Sequence, residues 1–198
     1  MSKLKQMLTI MLISLLALTI TSCDVVKLDA HGNPILPVDP SEQGTFKTMS
    51  PGDIANKVWP KMLIEAKNKA IDLSAAIKMD SNQTRNVFVK FKGKVTDLKD
   101  TGLKTVLSVN TSSSDINLDL GPVILSNSVR DASSVINFDE FENQVQFARF
   151  SKAVNKKAIH NFTMPDKSWV GASVHVIAAV AINSHQVMSA VPIVLEKR

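Results

Sequence analysis

The chain has 198 residues, 44% of them hydrophobic and 21% charged, with a net charge of +5. That size suits one globular domain with an appendage. Seven glycines, eight prolines and one cysteine exclude a collagen-like chain, a disulfide-stapled mini-protein and a cysteine-based zinc or iron–sulfur site. With no tyrosine and two tryptophans, there are too few aromatic faces for a base-stacking platform.

Residues 1–22 differ in kind from the rest. Lys3 and Lys5 precede an uncharged apolar run of 14 residues, Met7 to Ile20, which is too short to cross about 30 Å of hydrocarbon comfortably. This is the pattern of a secretory signal peptide. Its end, Ile20-Thr21-Ser22-Cys23, resembles the lipobox of bacterial lipoproteins. The resemblance implies cleavage before Cys23, diacylation of its thiol with palmitate-class chains, and acylation of the new amine. The alternative is a plain signal peptide followed by a stray thiol, a liability in an oxidising compartment. Acyl chains contribute roughly 0.8 kcal/mol per buried methylene, so two or three make a lasting lipid anchor in the membrane.

Removing Lys3 and Lys5 from 23 basic and 18 acidic residues leaves +3 for residues 23–198, so the charge argues little for nucleic acid. Asp24, next to the cysteine, resembles the inner-membrane retention signal of enteric-type lipoprotein sorting; otherwise it is a solvated linker acid. The expected location is the periplasmic face of the bacterial inner membrane, with the outer membrane as the alternative. Residues 24–49 scatter Gly32, Pro34, Pro37, Pro40 and Gly44 among polar residues without a period, the composition of a tether. Such a chain spans roughly 30 Å. The expected organisation is a signal peptide at 1–22, a lipidated N-terminus and tether at 23–49, and a single domain at 50–198.

Ser50-Pro51-Gly52-Asp53 opens a helix: Ser50 is a good cap, Pro51 fits the first turn and Asp53 favours the positive end of the dipole. Trp59-Pro60 predicts a break or kink. Met62, Ala66, Ala70, Leu73 and Ile77 then mark one apolar face of a helix over 61–79. Glu65 and Lys69 lie off that face, at the favourable i, i+4 spacing. The helix packs on a core or, as a basic amphipathic element, lies on anionic lipid.

From residue 87 the period changes to two. Val87, Val89, Phe91 and Val95 alternate with Lys90, Lys92 and Lys94, a half-buried strand with an outer row of lysines. The row is a solvated face, a guard against edge pairing, or a grip for phosphate or an acidic partner. Residues 103–109 and 116–124 read as two further strands, the latter ended by Gly121-Pro122. Residues 138–161 return to helical spacing, and 171–182 and 187–195 alternate as two more strands joined by a hairpin at 183–186. Five antiparallel strands with a helix between the third and fourth is the order of a partly open OB-like barrel. The expected class is α+β, OB-like, with an N-terminal amphipathic helix; a twisted sheet with helices on one face is the alternative.

Gly121-Pro122-Val123-Ile124, Arg130-Asp131-Ala132, Ile136-Asn137-Phe138, Phe141, Asn143-Gln144, Phe147-Ala148, Ser151, Ala153 and Asn155 resemble the core of a bacterial family of predicted periplasmic lipoproteins, a domain of unknown function. The likeness extends more loosely from Val58 to the end, including Ala190-Val191-Pro192-Ile193. It implies an accessory protein, with an association to sugar ABC-transport systems and hence an inner-membrane transporter or its sugar-binding protein as partner.

Within the motif, Arg130, Asp131, Asn143 and Gln144 are the candidate ligand-binding residues. A guanidinium, a carboxylate and two amides can read sugar hydroxyls or a small anion. The same side chains can instead satisfy the joint between barrel and helix. His31, His160, His175 and His185 show no metal spacing, and no nucleophile elbow, P-loop or dinucleotide fingerprint occurs. No metal and no cofactor are expected. Two functional classes follow: a non-enzymatic accessory or binding lipoprotein, and an envelope-sugar hydrolase using Asp131 with Asp139 or Glu140.

Overall fold

The computed structural model describes residues 45–79 and 83–198, together with the backbone of residues 27–28 and 34–35. The signal segment, Cys23 and Asp24 lie outside the described residues. The chain divides into two units, residues 1–43 and 44–198. In the first, β1 (Lys27–Leu28) pairs antiparallel with β2 (Pro34–Ile35).

In the second unit, residues 45–49 belong to the folded body. Phe46 is buried, and its amide donates to the Glu140 carbonyl at 2.7 Å. Helix α1 (Pro51–Lys69) starts as its sequence dictates, with Ser50 Oγ accepting from the Asp53 amide at 3.2 Å. Of the break or kink expected at Trp59-Pro60, the break does not occur: α1 runs on through Pro60. The amide that Pro60 lacks would have donated to the Asn56 carbonyl, and both residues lie on the exposed side of the helix, where no buried acceptor is left without a donor.

The helix expected over 61–79 is instead interrupted. After α1 come β3 (Ile71–Asp72) and a short α2 (Leu73–Lys78). Strand β3 lies parallel to β4 (Arg85–Asp100), with Ile71 opposite Val89 and Asp72 opposite Lys90. This pairing gives the backbone of residues 71–72 a sheet partner and re-aims the chain. Met62, Ala66 and Ala70 therefore pack under the helices, while Leu73 and Ala76 enter the barrel.

Strands β5 (Lys104–Asn110), β6 (Asp115–Pro122), β7 (Ser173–Asn183) and β8 (Gln186–Lys197) complete a curled sheet ordered β6-β5-β4-β7-β8. All of its pairings are antiparallel except that of β3, which attaches to β4. At the two ends of the path, the hydroxyls of Ser126, just beyond β6, and Ser189 on β8 meet at 2.7 Å. Register shifts after Val95 in β4 and at two places between β7 and β8 increase the local twist. At Gly93 a Cβ would stand 2.5 Å from both the Asn110 carbonyl oxygen and Val109 Cγ1, so only glycine admits the approach of β5 there. The β7–β8 turn is two residues, Ser184 and His185, both at positive φ, the twist a tight hairpin needs.

Two cores form on opposite faces of the sheet. Inside the curl lie Val89, Leu107, Val109, Leu118, Val176 and Val180. Outside, Phe88, Ile177, Ala179, Val191 and Ile193 are covered by α1 and by α4 (Gln144–Ile159), through Ile54, Val58, Met62, Phe150 and Val154. Each large side chain buried there contributes roughly 1.5–3 kcal/mol. Because helices cover its outer face, β7 is apolar on both sides, and the run Val176-Ile177-Ala178-Ala179-Val180 is buried throughout.

The helix expected over 138–161 is two elements. Asn137 and Glu140 form a capping box around a single turn, Phe138–Glu140, and Asn143 then caps α4, accepting from the Gln146 amide at 2.9 Å. Two successive polar caps divide what apolar spacing joins.

Candidate functional site

The segment from Gly121 to Asn155 joins β6 to β7 and wraps the helix side of the barrel. Most of its polar side chains tie elements together. Ser128 Oγ donates to the Ala179 carbonyl at 3.2 Å, Ser151 Oγ to Asn127 Oδ1 at 2.7 Å, and Asn155 Nδ2 to the Ser126 carbonyl at 2.8 Å. Gln146 Nε2 reaches the carbonyls of Phe46 and Met49, each at 2.9 Å, while its Oε1 accepts from the Glu142 amide at 2.7 Å. That buried amide fastens the chain entering the domain to α4.

Glu65 is a second fastening. It is 8% exposed, and its carboxylate accepts from the hydroxyls of Ser133 and Ser134, each at 2.5 Å, from the Ser134 amide at 3.1 Å, and from Lys69 Nζ at 2.7 Å. Burial alone would raise its pKa; the bonds from Lys69, Ser133 and Ser134 outweigh it and lower the value to about 2. Neither Glu65 nor Gln146 emerges as a site residue from sequence. The Glu65/Lys69 spacing is visible, but the two serines lie far along the chain, and nothing local signals them.

Arg130 and Asp131 sit on the one-turn helix α3 (Ser128–Asp131). Arg130 Nε donates to Asp131 Oδ1 at 2.6 Å, and the guanidinium lies 4.0 Å from the Phe147 ring centroid. Phe147 is itself held edge-on by Phe138 and Phe141, at 5.2 and 4.8 Å. The Arg130 side chain is 12% exposed and that of Asp131 33%. The terminal nitrogens of Arg130 hold no hydrogen bond to a described residue. Asn143 spends its side-chain oxygen on the α4 cap, and Gln144 is exposed on the first turn of α4. Of the acids named with Asp131, Glu140 accepts from the Asn137 amide at 2.7 Å within its capping box, and Asp139 is exposed.

In OB folds the first and last hairpin loops, with the face of the second and third strands, form the usual ligand grip. Here those loops are the turn at 101–103 and the two residues Ser184 and His185. A cavity of about 380 Å³ opens elsewhere, beside β4, lined by Asp72, Ser74, Lys90, Lys92, Ser113 and His175 among others.

A crystal structure of an OB-fold protein from Thermotoga maritima has a TM-score of 0.56 to this chain, covering 77% of it and 100% of that chain at 16% identity. The likeness concerns the fold, and with the curled antiparallel sheet it makes this an α+β OB-like domain. No curated protein matches the chain. Residues 13–196 match the family described as "Predicted periplasmic lipoprotein (DUF2291)". The span takes in the later part of the apolar run, Ile20-Thr21-Ser22-Cys23 and nearly all of the OB-like domain, and the chain belongs to that family of predicted periplasmic lipoproteins.

Proposed function

We propose that this lipoprotein is a non-enzymatic accessory or binding protein, anchored through acyl chains on Cys23 and retained at the inner membrane by Asp24. Five antiparallel strands with α4 between the third and fourth form its binding scaffold. Its partner is an inner-membrane transporter or the sugar-binding protein that serves it, and Arg130, with Asp131 and Gln144 alongside, forms the contact.

One observation carries the reading: Arg130 is oriented by Asp131 and stacked on Phe147, yet its terminal nitrogens hold no hydrogen bond to a described residue. A guanidinium fixed in this way is prepared for a carboxylate or vicinal hydroxyls.

The test places a photoreactive residue at Gln144, which is exposed, in cells carrying the intact protein. Irradiation is expected to give an adduct with a transport component, and Arg130→Ala is expected to remove it. Because Asp131 is partly exposed, Arg130→Ala should reduce stability by only about 1–2 kcal/mol, mostly the lost stacking on Phe147. An adduct insensitive to Arg130→Ala, or a stability loss above about 3 kcal/mol, would point to a purely structural role.

A further inference from the structure

The lysine row of β4 stands beside a break in the sheet. On one edge β4 is paired with β7 from Arg85 to Lys94. On the other, β3 pairs at Val89 and Lys90, and β5 begins at Lys94, so residues 91–93 have no strand partner on that side. The cavity of about 380 Å³ occupies this break. Its walls are Asp72 and Ser74 from the β3–α2 segment, the Thr111–Ser113 loop between β5 and β6, and His175, which lies opposite Lys92 in register. Lys92 also lines a second open cavity, of about 600 Å³, with Gly93 and Ser173.

The charge is uncompensated. Lys69, Lys99 and Lys104 each pair with a carboxylate, but Lys90, Lys92 and Lys94 hold no ion pair or hydrogen bond to any described residue. Alternate residues of a strand lie about 7 Å apart on one face, so three like charges crowd a short row. Among the described residues Asp72 is the only acid lining the first cavity, and Glu196 is near His175, at 3.9 Å, and Arg198. The row projects from the face of β4, which is paired to β7 along that whole stretch and unpaired at residues 91–93 on its other edge. The helices cover the outer face at Phe88, Ile177 and Ala179 and leave it open where the lysines begin.

We propose that this break is a binding site for a phosphate group, held by Lys90 and Lys92 with His175 at its side and the Ser112 and Ser113 hydroxyls across from them. A phosphate offers several acceptor oxygens to ammonium donors converging from one strand, and its charge relieves their mutual repulsion. The proposal goes beyond the partner reading above and is independent of Arg130. The phosphate belongs either to a soluble phosphoester or to the headgroup of an anionic phospholipid.

The experiment uses the mature lipoprotein in phosphatidylcholine nanodiscs and measures, by mass spectrometry, how fast each lysine is acylated by an amine-reactive reagent. Inorganic phosphate and glycerol 3-phosphate are the soluble probes, with sodium chloride at matched ionic strength as control. At ten times the dissociation constant, occupancy should slow the reaction of Lys90 and Lys92 about tenfold, leaving the exposed Lys61 and Lys152 unchanged. Protection by either soluble probe supports the site and assigns it to a free phosphoester. Protection only when phosphatidylglycerol is built into the disc supports it and assigns a lipid headgroup. Equal slowing of Lys61 and Lys152, slowing by chloride alone, or no protection in any arm overturns it. A Lys92→Gln variant, checked by melting for an intact fold, should lose protection of Lys90 by the same probe; retained protection also overturns it.

Discussion

Replacing Glu65 by glutamine tests whether one buried carboxylate locks α1 to the segment that follows Arg130. The folded pKa of about 2 lies below the ordinary 4.5. At 1.36 kcal/mol per unit, that difference is worth roughly 3 kcal/mol. Because the folded value is the lower one, this stability is fully present above about pH 4.5 and is lost as pH falls towards about 2. Lys69 foremost, then Ser133 and Ser134, hold the carboxylate ionised. Glutamine keeps the shape but presents an NH2 to hydroxyl and amide donors. The variant should lose about 2–3 kcal/mol at pH 7, a fall in Tm of roughly 5–12 °C for a domain this size. Melts of wild type and Glu65→Gln from pH 7 to pH 2.5 provide the assay, and the two curves should converge as the wild type titrates. A variant within about 2 °C of wild type at pH 7, or two curves that stay parallel down to pH 2.5, would refute the argument.

Three further outcomes are expected. Gly93→Ala should destabilise by about 1–3 kcal/mol in denaturant unfolding, because its Cβ meets the Asn110 carbonyl and Val109 at 2.5 Å; an unchanged midpoint would mean β5 can retreat freely. Cys23→Ser should abolish acylation and leave an uncleaved or soluble precursor on membrane fractionation, whereas normal cleavage before residue 23 with unchanged membrane binding would remove the anchor. In a host with enteric-type sorting, Asp24→Ser should shift the protein from inner- to outer-membrane fractions; wild type already in the outer membrane contradicts the retention role.

Sequence alone determines those features whose physics is local. The charged start, short apolar run and lipobox are contiguous and need no fold to be read. The Val89/Lys90 to Val95 alternation marks one buried and one wet face, and the structure has Val89 and Val95 buried with the three lysines exposed. The start of α1 is likewise written in four adjacent residues, and the β7–β8 hairpin in the short polar stretch between two apolar runs. Tertiary structure decides where a partner distant in the chain changes the outcome. The apolar spacing from Met62 to Ile77 looks continuous, yet Ile71 is captured by Val89 on the edge of β4, and the helix stops because sheet pairing satisfies its backbone. Pro60 stays helical because it and Asn56, whose carbonyl it leaves without a donor, both lie on the exposed side of α1, which no local rule reports. Glu65 looks like a solvent-facing i, i+4 partner until Ser133 and Ser134 arrive from the loop after α3. The break beside residues 91–93 exists only because β3 and β5 stop short of each other along β4. Periodicity records which side of an element is apolar; which element comes to cover that side, and where coverage ends, is set by long-range pairing that residue spacing does not carry.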